Sequence, residues 1–203
     1  VTGYDLTACA FTIVQADWNP SCGSCSAGYE GSVAHRVCGS AGASWSVSGC
    51  QAVCNRPSVK GYVLTTCAST IAQAGWNPSC GSCSAGYEGS VTHTVCGSAG
   101  ASWSVSGCQA VCNRPGVTGY DLTTCASTIA QAGWNTACGS CSAGYEGSVS
   151  HTVCGSAGAS WSVSGCQVVC KRPGVTGYDL TTCASTIAQA GWNTACGSCS
   201  AGY

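Results

Sequence analysis

The residues best equipped for chemistry in this chain are its cysteines and histidines. A Cys-Gly-Ser-Cys stretch begins at Cys22 and returns at Cys80, Cys138 and Cys196, and His35, His93 and His151 are the only histidines. Two close cysteines can exchange disulfides, and Cys22, Cys25, His35 and Cys38 can be drawn as four zinc ligands. A thioredoxin-like motif, however, sits in a βαβ context beside a helix N-terminus, and no such context is legible. The cysteines are therefore read as structural, with no metal and no cofactor. A hydrolytic triad needs a nucleophile, a base and an orienting acid. Serines abound, but the acids within reach of this pattern reduce to Glu88 and Asp121. The histidines are read as strand residues, exposed or half-buried, and no enzymatic activity is expected.

What must position these residues is a repeat. Tyr4, Tyr62, Tyr120 and Tyr178 share one context and Trp18, Trp76, Trp134 and Trp192 another, which fixes a period of 58 residues. The chain holds three and a half such units, and its first residue lies in register with Val59, Val117 and Val175. It is read as a window of a longer tandem array. A unit of this size is below the roughly 70–80 residues at which an apolar core suffices alone, so it needs staples. Twenty-one cysteines, six per full unit, can supply them, and a cysteine content of this order persists in oxidising compartments. The expected location is extracellular or secreted, as part of a cell-surface appendage or a matrix.

Charge excludes other partners. Only 6% of the residues are charged and the formal net charge is −1, so neither nucleic acid nor an anionic membrane surface finds a basic footprint. No apolar run approaches the roughly 18 residues of a membrane span. Mean hydropathy is positive, so charge alone does not keep this surface dispersed.

Within residues 59–116, β-branched and apolar residues are broken by Gly, Asn and Pro, as short strands and turns require. The stretch from Thr65 to Gly75 has helical composition in part, but its Thr and Ile content and lack of Glu or Lys weaken a helix. Val91, His93 and Val95 alternate with Ser90, Thr92 and Thr94, a period of two residues that predicts a strand. A second alternation runs from Ala101 to Cys108. Residues 109–115 are expected to be extended, because the residue before a proline avoids the α region. The fold class expected is all-β.

Counted from Cys54, the pattern is Cys54-Asn55-Arg56-Pro57, then Cys83-Ser84-Ala85-Gly86-Tyr87-Glu88-Gly89, then Cys96, Trp103 and Cys108, with Cys112 opening the next copy. This resembles the sushi module, also called the complement control protein module. The resemblance covers modules 54–108 and 112–166, a module at 1–50 that lacks its opening cysteine, and a partial one at 170–203. Six cysteines allow 15 connectivities in general. The resemblance implies first-to-third and second-to-fourth pairing: Cys54–Cys96 and Cys83–Cys108, Cys112–Cys154 and Cys141–Cys166, and Cys25–Cys50. That leaves an additional pair per module: Cys9–Cys22, Cys67–Cys80, Cys125–Cys138 and Cys183–Cys196. Cys38, Cys170 and Cys199 then have no partner within the window. Loops of these lengths are worth about 3–4 kcal/mol per bond in the chain-entropy model, so disulfides more than core are expected to hold each module.

The resemblance makes Trp103 a core residue. Trp76 lies outside its pattern and is read as packing beside the additional disulfide, with an exposed sugar-binding ring as the other reading. Asn19 and Asn77 precede proline, and Asn135 and Asn193 precede Thr-Ala, so no N-linked glycan is expected. Thr65, Thr66, Ser69, Thr70, Thr92 and Thr94 are candidates for O-linked sugar, which would solvate a surface poor in charge.

Gln51, Ala52 and Val53 are all that separates one module's closing cysteine from the next module's opening cysteine. A tether so short, followed by Pro57, predicts a fixed rise and rotation between modules, hence an elongated rod. The stretch Gly39–Gly49 is repeated without change at 97–107 and 155–165. One surface presented many times suits self-assembly, so the expected partners are other copies of the chain, as a homopolymer or bundle. The expected function is an extracellular structural fibre or filament carrying O-linked sugar. The alternative is a multivalent adhesin or lectin-like array using Trp76 and Tyr87.

Overall fold

A computed structural model describes residues 1–15, 18, 20–190 and 195–202. Trp192, Asn19 and Asn193, invoked above, lie outside the described residues, as does the last residue of the partial module at 170–203. Among the described residues the regular structure is β-strand, with no α-helix. The protein is all-β, built from repeated small disulfide-rich modules. The chain divides into two compact units, residues 1–84 with 88–108, and residues 85–87 with 109–203.

In the first unit, short antiparallel pairs join Tyr4–Asp5 to Ser24–Cys25, Tyr62–Val63 to Ser82–Cys83, and Ala34–Arg36 to Ser46–Ser48. A three-stranded sheet has Gln51–Asn55 at its centre, with Tyr29–Glu30 on one edge and Thr70–Ala72 on the other. The central strand uses its two halves differently. Gln51 and Ala52 pair with residues of the preceding module, while Val53, Cys54 and Asn55 pair with residues of the following one.

The second unit repeats the arrangement. Tyr120–Asp121 pairs with Ser140–Cys141, Tyr178–Asp179 with Ser198–Cys199, and Val111–Asn113 with Thr128–Ala130. A ten-residue strand, Ser162–Lys171, pairs through residues 162–168 with Tyr145–Thr152 and through 169–171 with Thr186–Ala188. The three residues between cysteines thus form no loose tether: residues 167–169 are the interior of a strand, and Gln51, Ala52 and Val53 are the first three residues of one. The hairpin bulges between Gly147 and Ser150. Gly147 has φ 135° and Gly165 φ 104°, and a Cβ on either would collide with a carbonyl oxygen of the opposing strand, so glycine is required at both.

The cores are small and rich in sulfur. In the first unit Cys54, Leu64, Cys67, Cys96 and Trp103 are buried together; in the second Cys112, Leu122, Cys125, Cys154 and Trp161 take the same places. One sequence expectation shifts. Val91 and His93 lie half-buried as the alternation requires, but the strand ends at Thr94 and Val95 is 42% exposed. The chain turns there to bring Cys96 inward to Cys54, and that bond overrides the period-two pattern.

Candidate interaction surface and the cystine–histidine–tryptophan cluster

The cysteines of the Cys-Gly-Ser-Cys stretches point to different bonds. Cys22 is joined to Cys9 and Cys25 to Cys50, Cys80 to Cys67 and Cys83 to Cys108, Cys138 to Cys125 and Cys141 to Cys166. Cys54–Cys96, Cys112–Cys154 and Cys183–Cys196 complete nine disulfides, and Cys38, Cys170 and Cys199 are free. The two cysteines of one stretch therefore do not form a redox pair. Nor do Cys22, Cys25, His35 and Cys38 offer zinc three thiolates, since two of those sulfurs are held in separate cystines.

A different trio does come together. The sulfurs of Cys67 and Cys80 lie within 4.8 Å of a ring nitrogen of His93, and the same holds for Cys9, Cys22 and His35 and for Cys125, Cys138 and His151. His93 Nε2 is 3.9 Å from Cys80 Sγ, and its ring lies 5.1 Å from that of Trp103, tilted by 50°. Trp76 meets Trp103 edge-on at 6.1 Å, the aromatic geometry favoured by the ring quadrupole. The repeat places Trp134 on Trp161 and Trp18 on Trp45 in the same way. The additional disulfides Cys9–Cys22, Cys67–Cys80 and Cys125–Cys138 thus each lie beside a half-buried histidine, in a module whose two indoles are paired. The indole nitrogens of Trp103 and Trp161 are buried with no hydrogen-bond partner among the described residues, an arrangement that costs about 1–3 kcal/mol apiece.

Polar side chains lock the core to the backbone. Arg56 Nη1 donates to the carbonyls of Leu64 and Cys67 at 3.3 and 2.6 Å, and Arg114 repeats the contact with Leu122 and Cys125 at 3.1 and 2.8 Å. Gln73 Nε2 donates to Cys96 O at 3.2 Å, and the N–H of Cys108 donates to the Tyr62 hydroxyl at 3.2 Å. The Asp121 carboxylate accepts from the hydroxyl of Thr123 at 2.6 Å and from its N–H at 3.1 Å, and these bonds hold its pKa below the ordinary value. Asp5 and Asp179 are held down by Thr7 and Thr181 in the same manner.

The junction between modules is held on several sides. Within the first unit the N–H of Val53 donates to Gly28 O at 3.0 Å, the N–H of Gly100 to Val53 O at 2.8 Å, and the N–H of Asn55 to Ala101 O at 2.9 Å. Gly28 packs so closely on Ala99 and Gly100 that a Cβ there would lie 2.7 Å from their backbone atoms. Thr70 Oγ1 donates to Glu30 Oε2 of the preceding module at 2.8 Å. Within the second unit, Thr186 Oγ1 repeats this with Glu146 Oε2 at 2.7 Å.

The outer surface is hydroxyl-rich. Thr65, Thr66, Ser69, Thr92 and Thr94 are exposed and Thr70 is half-buried. Three of the six candidate hydroxyls are already engaged. Thr66 accepts from the N–H of Gly81, Thr70 donates to Glu30, and Thr92 shares a 2.6 Å hydrogen bond with Ser106. Thr65, Ser69 and Thr94 carry no side-chain hydrogen bond among the described residues. In the second unit, Ser150 and Thr152 stand across from Ser164 and Ser162 on the hairpin.

No protein-family model, curated protein or solved structure matches this chain.

Proposed function

We propose that this chain is an extracellular structural repeat protein whose sushi-like modules assemble into a fibre with O-linked sugar on its hydroxyl face. The observation that carries the reading is the module junction: one strand pairs with both of the modules it joins, Gln51–Asn55 with Tyr29–Glu30 and Thr70–Ala72, and Ser162–Lys171 with Tyr145–Thr152 and Thr186–Ala188. A junction made of ladder hydrogen bonds leaves few free dihedrals at which to hinge, and near-identical units related by one fixed operation generate a rod or helix. Nine disulfides favour an oxidising, extracellular setting. Sugar on Thr65, Ser69 and Thr94 would solvate a surface with few charges without breaking a hydrogen bond of the fold. A lectin-like use of Trp76 finds less support, because its ring is half-buried against Trp103.

Electron images of the native material test the reading. Straight fibres with a constant axial repeat are expected; dispersed, flexible strings overturn it. A glycan array probed with the isolated chain separates the adhesin, which would show saturable binding, from the fibre, which would not. Intact mass checks the sugar: masses above that of the polypeptide by sugar multiples support it, and a bare polypeptide mass removes it.

A further inference from the structure

Three of the additional disulfides have a neighbour that their role as staples does not use. A histidine ring nitrogen stands beside the sulfurs of Cys67 and Cys80, of Cys9 and Cys22, and of Cys125 and Cys138, with the three ligand atoms of each trio within 4.8 Å of one another. The nitrogen that faces the sulfur is Nε2 each time: His93 lies 3.9 Å from Cys80 Sγ, His35 3.8 Å from Cys22 Sγ and His151 3.9 Å from Cys138 Sγ. A tetrahedral zinc ion, bonded at about 2.3 Å to sulfur and about 2.0 Å to nitrogen, sets those two atoms about 3.5 Å apart. The imidazole therefore needs little movement to coordinate.

The frame around each trio does not depend on the bond between its sulfurs. Thr66 Oγ1 accepts from the N–H of Gly81 at 2.9 Å, tying together the neighbours of Cys67 and Cys80, and Tyr62–Val63 pairs with Ser82–Cys83 just beyond. In the second unit the N–H of Gly139 donates to Thr124 Oγ1 at 2.9 Å, and Tyr120–Asp121 pairs with Ser140–Cys141. His151 is held opposite Val163 in its hairpin, as His35 is opposite Val47. The Cα atoms of Cys67 and Cys80 are 5.2 Å apart and those of Cys125 and Cys138 5.3 Å. Rotation about the Cα–Cβ bonds lets two free sulfurs on such a frame spread to the separation of about 3.8 Å that one tetrahedral zinc ion sets. There is also a way in: Thr136, Cys138, Gly139, Ser150 and His151 line an open pocket of about 510 Å³.

We propose that Cys67, Cys80 and His93, and with them the trios Cys9, Cys22, His35 and Cys125, Cys138, His151, are redox-gated zinc sites: closed as a cystine, open to Zn²⁺ once a small-molecule dithiol has reduced that bond. One thiolate of the dithiol attacks a cystine sulfur and releases the other as a thiolate; the second thiolate of the dithiol then displaces the protein sulfur still held. Two electrons and two protons pass to the protein, which gains two thiols, and the dithiol becomes a cyclic disulfide. Each thiol gives its proton to solvent as it binds the ion. Two thiolates cancel the charge of Zn²⁺, which suits a module interior with no buried charged side chain among the described residues. The imidazole is the third ligand and a water the fourth, as in zinc sites that keep an open position. Two sulfurs and an imidazole select zinc over magnesium or calcium, which take oxygen ligands. The proposal rests on the trios, not on the fibre reading; fibres that take up no zinc after reduction would overturn the sites alone.

The test uses the full chain carrying Cys38→Ser, Cys170→Ser and Cys199→Ser, so that thiols outside the nine disulfides bind no metal. It is reduced anaerobically with a dithiol, freed of the dithiol by gel filtration, and titrated with Co²⁺ and then Zn²⁺. The oxidised chain is expected to take up neither ion. The reduced chain should develop the intense visible and near-ultraviolet bands of tetrahedral, thiolate-bound cobalt, in three equivalents that zinc displaces. His93→Ala and His93→Gln, each first shown to match the parent's circular dichroism in oxidised form, should lose one of the three equivalents. In both, Cys67 and Cys80 should become open to alkylation in the presence of zinc. Uptake that these variants leave unchanged would show thiols binding metal without the histidine and overturn the proposal. So would an absence of uptake, equal uptake by the oxidised chain, or a reduced chain that loses its β-structure and does not regain it with zinc.

Discussion

At the scale of single residues, the indoles and the arginines carry more than their number suggests. Trp103 is 1% exposed and touches both the disulfides and the second indole of its module. Trp103→Ala is expected to cost about 3–5 kcal/mol, read from the urea midpoint of the oxidised protein; a cost below about 1 kcal/mol would contradict the packing described. Arg56 closes two carbonyls with one nitrogen, so Arg56→Ala should cost about 1.5–3 kcal/mol by the same measurement. The aspartate turns give a pH signature whose sign follows from the depressed pKa. The Thr123 hydroxyl and N–H favour the charged Asp121, so their contribution is complete above the ordinary carboxylate pKa and is lost as pH falls through the lowered one. A carboxyl-carbon NMR titration should place Asp5, Asp121 and Asp179 below an unfolded-chain aspartate. Asp121→Val, the residue that Val63 supplies in the neighbouring module, should abolish the acid-range change in exchange of the Thr123 amide.

At the scale of elements, disulfides and strand continuity divide the work. Cys54–Cys96 spans 42 residues and Cys67–Cys80 spans 13. Chain entropy then assigns about 4 and about 3 kcal/mol, and replacing Cys54 and Cys96 together by Ala should destabilise more than replacing Cys67 and Cys80. Calorimetry of the two double variants checks the order; equal or reversed losses would contradict it. Gly28→Ala is expected to weaken the junction by about 1–3 kcal/mol, because φ is +83° and the new Cβ meets Ala99 and Gly100 backbone. Much of this level was legible in the sequence. Alternation along 90–95 and 101–108 pointed to strands, which form at Tyr87–Thr94 and Ser104–Asn113, because alternate residues there pack on the core and face water. What the letters concealed was the junction. Gln51, Ala52 and Val53 between two cysteines read as a tether because nothing local distinguishes a linker from a strand. Their extended state is fixed by partners far along the chain, Tyr29 on one side and Ala72 on the other. Around Cys67–Cys80, the packing of Trp76 beside the disulfide was expected from the sequence and the core place of Trp103 from the resemblance, but the approach of half-buried His93 to both was hidden for the same reason: these residues are scattered over 37 positions and meet only after the disulfides close.

At the scale of the whole molecule, the proposed fibre rests on the junctions inside each unit, Gln51–Asn55 and Ser162–Lys171, being ladder rather than loop, so that the modules they join have little freedom to swing. Native-state hydrogen exchange on the amides of Val53, Asn55 and Gln73 tests it most directly, since the N–H groups of Val53 and Gln73 bond to Gly28 and Ala52 at the boundary and that of Asn55 bonds to Ala101 beside it. They are predicted to exchange within about tenfold of the amides in the hairpin of residues 91–94 and 104–106, slowing and quickening with them as denaturant is added. Exchange at the rate of an exposed turn at Val53, Asn55 and Gln73, while the hairpin stays protected, would show hinged modules and contradict the account.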